Sequence, residues 1–372
     1  MCLYIDKHKI KITSELNYLG VGLDPTLSWK GHIDKICKKI RQKSNQLHHI
    51  ARNTCGLSPK HCRLIYKEAI EPALLYAAQI WGGKANLVHV KRKLLSVQRD
   101  FAIRICRAYR TTPTDALLVM ANLVPIHLKI KYINWIWNIQ NEDLNISESD
   151  SAQIITQNDF YHNCKDMIQM IQTYGLDSQS SKMKYHHHPA NSDTMSINLL
   201  YKTITNHARW HVFTDGAKND KGTGVAFTIR DTVTNTTSKE EYHKLGKHCS
   251  NNQAELWSMQ QALIAITKHP RKYQDNIDFF TDSRYVLNVI NGTNKQTAAG
   301  IKVCRLANNL HKKRNISFNW IPGHSRISGN ERADALAKEV ATLNVTPSFN
   351  KVPITLVKSL IYDKIMNEWQ KE

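Results

Sequence analysis

A chain of 372 residues has room for two or three domains, and 41% hydrophobic residues is enough to give each a core. Its 51 Lys and Arg against 31 Asp and Glu leave a formal charge of +20, which favours a polyanionic partner such as nucleic acid. No apolar run reaches the roughly 18 residues of a membrane span, the first twelve residues lack a signal-peptide core, and the eight cysteines include no C-x-x-C pair. Membrane, secreted, zinc-module and disulfide-framework classes are therefore disfavoured, and the expected location is intracellular, in cytoplasm or nucleus.

Charge divides the chain into three: residues 1–140 carry 23 basic against 8 acidic residues, 141–200 carry 3 against 8, and 201–372 carry 25 against 15. The first region opens with strand-like runs at 9–12 and 16–21. After Asp24-Pro25 the pattern turns helical, with Ile33, Ile36, Ile40 and Leu47 at helical spacing among Lys35, Lys38, Lys39, Arg41 and Lys43. Ser58 is the expected N-cap and Pro59 the first residue of a helix running toward Trp81, where Gly82-Gly83 ends it. A third helix covers about 86–109 and carries Lys91, Arg92 and Lys93; a fourth follows Thr112-Pro113, and a fifth covers about 125–139. Residues 1–140 thus read as a mainly α-helical, basic module.

Residues 141–205 are rich in Ser, Asn, Gln and Asp and read as a polar linker with one short helix near 158–174. His186, His187 and His188 lie inside it, as an exposed loop run or a metal-binding tract.

Beyond it the pattern changes again. Short strands are expected at 210–214, 224–230, 241–245, 277–281 and 316–321, and helices at 252–268, 283–290, 301–313 and 328–340, the last opened by a Ser328/Glu331 capping box. The order β-β-β-α-β-α-α-β-α describes an α/β domain with a mixed sheet over 206–345, followed by a tail at 346–372 with a short helix.

Acidic residues punctuate these elements. Asp215 follows the first strand, Glu255 lies in the first turn of the next helix, Asp282 ends the 277–281 strand and Asp334 lies early in the last helix. Strand ends and helix starts converge on one rim of such a sheet. Four carboxylates there repel one another unless cations bind, and hard oxygen ligands select Mg²⁺ or Mn²⁺. Two ions about 3.5–4 Å apart clamp the attacking and leaving oxygens of a phosphodiester. Singly, each acid has an ordinary reading: a turn aspartate, a helix-dipole glutamate, or an Asp334 paired with Lys338 four residues on.

The ordered set resembles a known family. Phe213-Thr214-Asp215-Gly216, Asn251-Asn252-Gln253-Ala254-Glu255-Leu256, Phe280-Thr281-Asp282-Ser283, Trp320-Ile321-Pro322-Gly323-His324 and Gly329-Asn330-Glu331-Arg332-Ala333-Asp334-Ala335-Leu336-Ala337 look like the signature of type 1 ribonuclease H. The resemblance implies an α/β, ribonuclease H-like fold with a mixed five-stranded sheet flanked by helices. It implies two metal ions, Mg²⁺ or Mn²⁺, on Asp215, Glu255, Asp282 and Asp334, with His324 shuttling protons or helping product leave. Asn251, Asn252 and Gln253 match a segment that touches the minor groove, where RNA shows its 2′-hydroxyls; each could equally be a polar helix cap. The expected activity is hydrolysis of the RNA strand of RNA–DNA hybrids, leaving 3′-hydroxyl and 5′-phosphate ends. Only ten residues, 291–300, separate the helices that flank them, with no extra basic helix of the bacterial kind. Grip on the nucleic acid is therefore expected from 1–140, including Lys91, Arg92 and Lys93.

Residues 10–130 resemble the segment after the polymerase palm in non-LTR retrotransposon proteins, the thumb and connection. The match rests on Tyr18-Leu19-Gly20-Val21, Leu27-Ser28-Trp29, His32-Ile33, Pro72-Ala73-Leu74-Leu75-Tyr76, Ile80-Trp81 and Ala108-Tyr109-Arg110-Thr111-Thr112 with Ala116-Leu117. No adjacent aspartate pair exists in the chain, so the palm motif is missing, and the chain reads as the C-terminal part of a reverse transcriptase polyprotein or a truncated copy. The alternative is a catalytically silent nucleic-acid-binding remnant, against which the intact carboxylates argue. A transposase or integrase would share the fold with a different carboxylate set; His324 and the 329–337 motif argue against it.

Overall fold

The computed structural model describes residues 3–5, 8–10, 13–50, 56–141, 159–177, 195–201, 208–292 and 297–372. His186, His187 and His188 lie outside the described residues. Met1–Cys164 with Leu360–Glu372 form one unit and Lys165–Ser359 a second.

The first unit begins with two antiparallel hairpins, β1 (Leu3–Ile5) with β2 (His8–Ile10) and β3 (Leu16–Tyr18) with β4 (Val21–Leu23). The Asp24 carboxylate then accepts from the backbone N–H groups of Thr26, Ser28 and Trp29, which holds it well below the usual carboxylate range and turns the chain into α1 (Lys30–Ile50). Ile33, Cys37, Ile40 and Leu47 of α1 are buried, three to seven residues apart, while Lys38 and Lys39 stay exposed.

Ser58 caps α2 (Pro59–Ile65) by accepting from the His61 N–H at 3.4 Å. The single helix expected from there to Trp81 is instead broken. A π-turn at Tyr66–Ile70 leads into α3 (Glu71–Leu74), and Ala77 at φ 53 precedes α4 (Ala78–Trp81). Pro72 is the cause: without an N–H it cannot bond Glu68, so the helix widens and the Glu71 N–H reaches back to Tyr66. Next come α5 (Val88–Cys106), ended by Arg107 at φ 50, α6 (Thr114–Met120) and α7 (Ile126–Asn141). Their buried faces gather Leu74, Trp81, Leu94, Phe101 and Leu117 into one core, with Trp369 against it.

Residues 141–205 contain the short helix expected near 158–174 and two short strands besides. After α8 (Asp159–Tyr174) come β5 (Leu176–Asp177) and β6 (Ser196–Asn198). The second unit then runs β7 (Trp210–Asn219), β8 (Gly222–Asp231), β9 (Thr236–Leu245), α9 (Asn251–Lys268), β10 (Ile277–Thr281), α10 (Arg284–Ile290), α11 (Ala298–His311), β11 (Ile316–Trp320), α12 (Ser328–Thr342) and β12 (Val352–Pro353). The short tail helix expected after 346 is an 18-residue helix, α13 (Ile354–Lys371).

The central sheet has six strands, ordered β6-β11-β10-β7-β8-β9, rather than five. The three strands β7, β8 and β9 form an antiparallel meander; β10 lies parallel to β7 and β11, and β6 parallel to β11. The sixth strand, Ser-Ile-Asn, is too short to show a period of two, and it is held by backbone pairing and an Asn198–Asn319 side-chain bond of 2.7 Å. Val212, Phe227, Phe279 and Phe318 of the sheet bury against Leu256, Leu263 and Val303 of the covering helices.

Candidate active site

Sheet geometry makes the site. On one side β7 pairs with β10 only as far as Phe213↔Phe280, while on the other it stays paired with β8 through Asp215↔Ala226 to Asn219. Asp215 thus lies inside a ten-residue strand, not after a five-residue one, at the point where the parallel neighbour leaves. Asp282 follows the end of β10, so the two acids face each other across the opening between strands, where α/β sheets place ligands.

Two helices close this opening. The N-terminus of α9 is set by a capping box: Ser250 Oγ accepts from Gln253 N–H and the Gln253 side chain accepts from Ser250 N–H. Glu255 follows half a turn later. A Cβ on Gly216 would lie 2.7 Å from both the Glu255 nitrogen and the Ala254 Cβ, so the strand backbone meets the helix directly, and only glycine fits. On α12, Gly329 lies against the Phe213 ring, where a Cβ would collide with ring carbons, and Asp334 follows within the second turn. The expected Ser328/Glu331 box does not form. Ser328 Oγ accepts from Arg230 instead, and the Glu331 carboxylate accepts from the Arg326 N–H at 3.2 Å.

Asp215, Glu255, Asp282 and Asp334 line one cavity of about 640 Å³, together with Asn251, His324 and Lys338. Ligand atoms of Asp215, Glu255 and Asp282 lie within 4.8 Å of one another, as do those of His324, Glu331 and Asp334. Burial, then the charges of Asp282 and Asp334, pushes the Asp215 carboxyl up to about 7. Burial, then Asp215 and Asp282, raises Glu255 well above its ordinary value, and burial with Asp334 raises Asp282. Glu255 is 4% exposed and its Oε2 has no hydrogen-bond partner. Three clustered acids with an orphaned acceptor and mutual repulsion fit a hard divalent cation. Lys338 donates to Asp334 at 2.5 Å, the i, i+4 pair visible in the sequence.

His324 is exposed, in the loop before α12, at φ 52. Asn251 lines the lip of the cavity and Asn252 is exposed beside it. Gln253 is engaged elsewhere, by Ser250, by Asp177 at 2.7 Å and by the Lys351 carbonyl. In the first unit Lys91 pairs with Glu372 and Lys93 with Asp34, while Arg92 is exposed. Sequence reading takes Glu331 for a helix cap and passes over Asp177. Glu331 has a signal, three residues before Asp334 on one helix face; Asp177 has none.

A ribonuclease H family model, RNase H, matches residues 207–342. Ribonuclease H of Francisella tularensis subsp. novicida is 34% identical over 145 residues, covering 35% of this chain and 90% of that protein. A retrovirus-related Pol polyprotein from type-1 retrotransposable element R1 4 of Nasonia vitripennis is 30% identical over 122 residues, 33% of this chain and 31% of the polyprotein. A second such polyprotein, from element R1 3 of Nasonia vitripennis, is 21% identical and 44% covered, so the chain spans a third to under a half of these relatives. Among solved structures, RNase H1 of Halobacterium salinarum aligns with 36% of this chain and 96% of its own at 24% identity and a TM-score of 0.29.

Proposed function

The chain belongs to the ribonuclease H family, through residues 207–342, and we propose that it is a metal-dependent endonuclease cleaving the RNA strand of RNA–DNA hybrids within a retrotransposon reverse transcriptase. The observation that carries the reading is the buried carboxylate set with no compensating base at Glu255. Asp215, Glu255, Asp282 and Asp334 would hold the ions, Mg²⁺ or Mn²⁺. Bound there, divalent cations supply a lowered water pKa and charge neutralisation at a scissile phosphodiester.

The chain's own groups do the rest. The close joint at Gly216 fixes Asp215 relative to Glu255, and the strand divergence fixes Asp282 opposite them. The exposed His324 imidazole moves a proton toward the leaving 3′-oxygen. Asn251 and Asn252, at the lip, orient a strand that carries 2′-hydroxyls. The exposed cations of the first unit, Lys38, Lys39 and Arg92, contact phosphates without reading sequence. The retrotransposon context rests on the polyprotein relatives and on the thumb-like words between 10 and 130.

The test is cleavage of end-labelled hybrid, duplex RNA and duplex DNA with Mg²⁺ and with chelator. Cleavage confined to the RNA of the hybrid, and lost on chelation, is the expected result; no cleavage by the folded, Mg²⁺-supplied chain would refute the reading. His324→Ala should slow cleavage by about 10²-fold or less, the range for one positioned proton-transfer group, in single-turnover kinetics.

A further inference from the structure

The N-terminus of α9 is held from outside the 207–342 domain. On one side lies the stretch after α8: Asp177 Oδ2 accepts from Gln253 Nε2 at 2.7 Å, and the Tyr174 ring meets the His248 ring at 5.2 Å. On the other lies the stretch after α12. Gly246 N–H donates to the Phe349 carbonyl at 2.8 Å, Ser348 N–H to the Lys244 carbonyl at 2.8 Å, and Gln253 Nε2 to the Lys351 carbonyl at 3.3 Å. The two stretches are tied to each other by β5–β12 pairing and by Val352 N–H to the Gly175 carbonyl at 2.9 Å.

Asp177 is 6% exposed, and burial raises its carboxyl, so it is not a surface charge that happens to reach Gln253. Its charge also bears on Tyr285 of α10, the helix that follows Asp282. One carboxylate therefore touches the helix that carries Glu255 and lies near the helix after Asp282. Buried polar groups are retained at a desolvation cost unless they fix a geometry or are fully bonded.

We propose that residues 174–177 and 348–353 form a clasp on the active centre, in which Asp177, through Gln253, sets the first turn of α9 and with it Glu255 and Asn251. Asp177 is a positioning residue for the hydrolysis, lying some thirty residues before the matched domain begins. The inference rests on the nuclease reading above.

The hydrogen-bond chain gives a directional test in the full chain. Gln253→Glu keeps the capping box, since a glutamate oxygen still accepts from Ser250 N–H, but turns a carboxylate toward Asp177. Asp177→Asn in the same chain restores the bond with donor and acceptor exchanged. Assays are run at alkaline pH, which favours the ionised form of both carboxylates. Gln253→Glu should lower kcat on hybrid roughly tenfold, within the range for a displacement of about 1 Å, with KM within about threefold. It should also weaken Mn²⁺ binding several-fold, measured by electron paramagnetic resonance without substrate. The double variant should return both within about threefold of wild type, at matched melting temperatures. If Gln253→Glu does not fold, Asp177→Ala should show the same losses in smaller measure.

A Gln253→Glu chain with wild-type kcat and Mn²⁺ affinity would overturn the proposal. So would losses that Asp177→Asn fails to rescue, which would place the effect on the other partners of Gln253, the Lys351 carbonyl or the hybrid itself, and not on Asp177. If the wild-type chain cleaves no hybrid, the nuclease reading fails, and the Mn²⁺ comparison still decides the clasp.

Discussion

Glu71 in the first unit and Glu255 in the second are both buried glutamates on helices, 8% and 4% exposed, and their surroundings are opposite. Glu71 accepts from Lys67 at 3.1 Å and from Lys129, and the same unit pairs the buried Lys131 with Glu368 at 2.8 Å and His127 with Glu372 at 3.3 Å. Glu255 faces Asp215 and Asp282, charges of its own sign, and one of its oxygens bonds nothing. A buried charge with partners is part of how a fold holds itself together. A group of buried like charges is destabilising on its own, and its persistence marks a site shaped for something that arrives later. The comparison also separates two uses of basic residues: in the first unit many lysines are tied up in internal pairs, so the net charge of the sequence overstates what is free for a polyanion.

Neutralising one member of each group has opposite consequences for activity and stability. Asp282→Asn should reduce hybrid cleavage by roughly 10³-fold or more, as loss of an essential member of a catalytic set does, while raising the melting temperature of the metal-free protein. Cleavage near the wild-type rate, or a lower metal-free melting temperature, would contradict the assignment.

The pH dependence of stability sharpens the same point. The acids of the site have folded pKa values raised above their unfolded ones, Asp215 to about 7. Between about pH 4 and 7 the unfolded chain therefore holds fewer protons than the folded one. Their contribution is complete at low pH and is lost as pH rises through the folded values. Chelated protein should lose a few kcal/mol from pH 5 to pH 8, since a group whose folded and unfolded pKa differ by one contributes about 1.4 kcal/mol. Mg²⁺ should remove most of that slope in denaturant titrations.

Glu71→Gln is the opposite control. It leaves Lys67 and Lys129 without their acid and should cost about 1–3 kcal/mol, below the range for fully buried pairs because both lysines are partly exposed. Denaturant midpoints with and without Mg²⁺ check this; the loss should be the same in both. The smallest effect is expected at Arg92. Arg92→Ala should flatten the salt dependence of hybrid binding by about 0.7–0.9 log units per log unit of salt, one phosphate contact, whereas Lys91→Ala, already paired with Glu372, should change the slope less.

Where the sequence is legible, one period dominates. The strand 277–281 has parallel neighbours on both sides and reads as a short buried strand interrupted only by Asp278, and its bounds agree with the structure. The edge strand Thr236–Leu245 is polar along most of its length, and only its last half is visible in the sequence. The break at 66–77 is hidden because Pro72 alters backbone bonding without disturbing the apolar spacing. The four candidate acids are visible as words in a fixed order, each attached to an expected element. Their repulsion, the second trio of His324, Glu331 and Asp334, and the reach of Asp177 to Gln253 across 76 positions depend on chain paths that spacing does not encode.

The contact at Gly216 has a consequence for how such a site keeps its spacing. The strand bearing Asp215 and the helix bearing Glu255 touch so closely that a Cβ at 216 would meet both the Ala254 Cβ and the Glu255 nitrogen at 2.7 Å, and the interval between those two acids is set by this packing of strand on helix, which admits only small residues. Side chains elsewhere around the cavity stand outside that joint, so the gauge between these acids does not depend on them. A single methyl group at position 216 would act as a wedge in that joint, displacing Asp215 and Glu255 together.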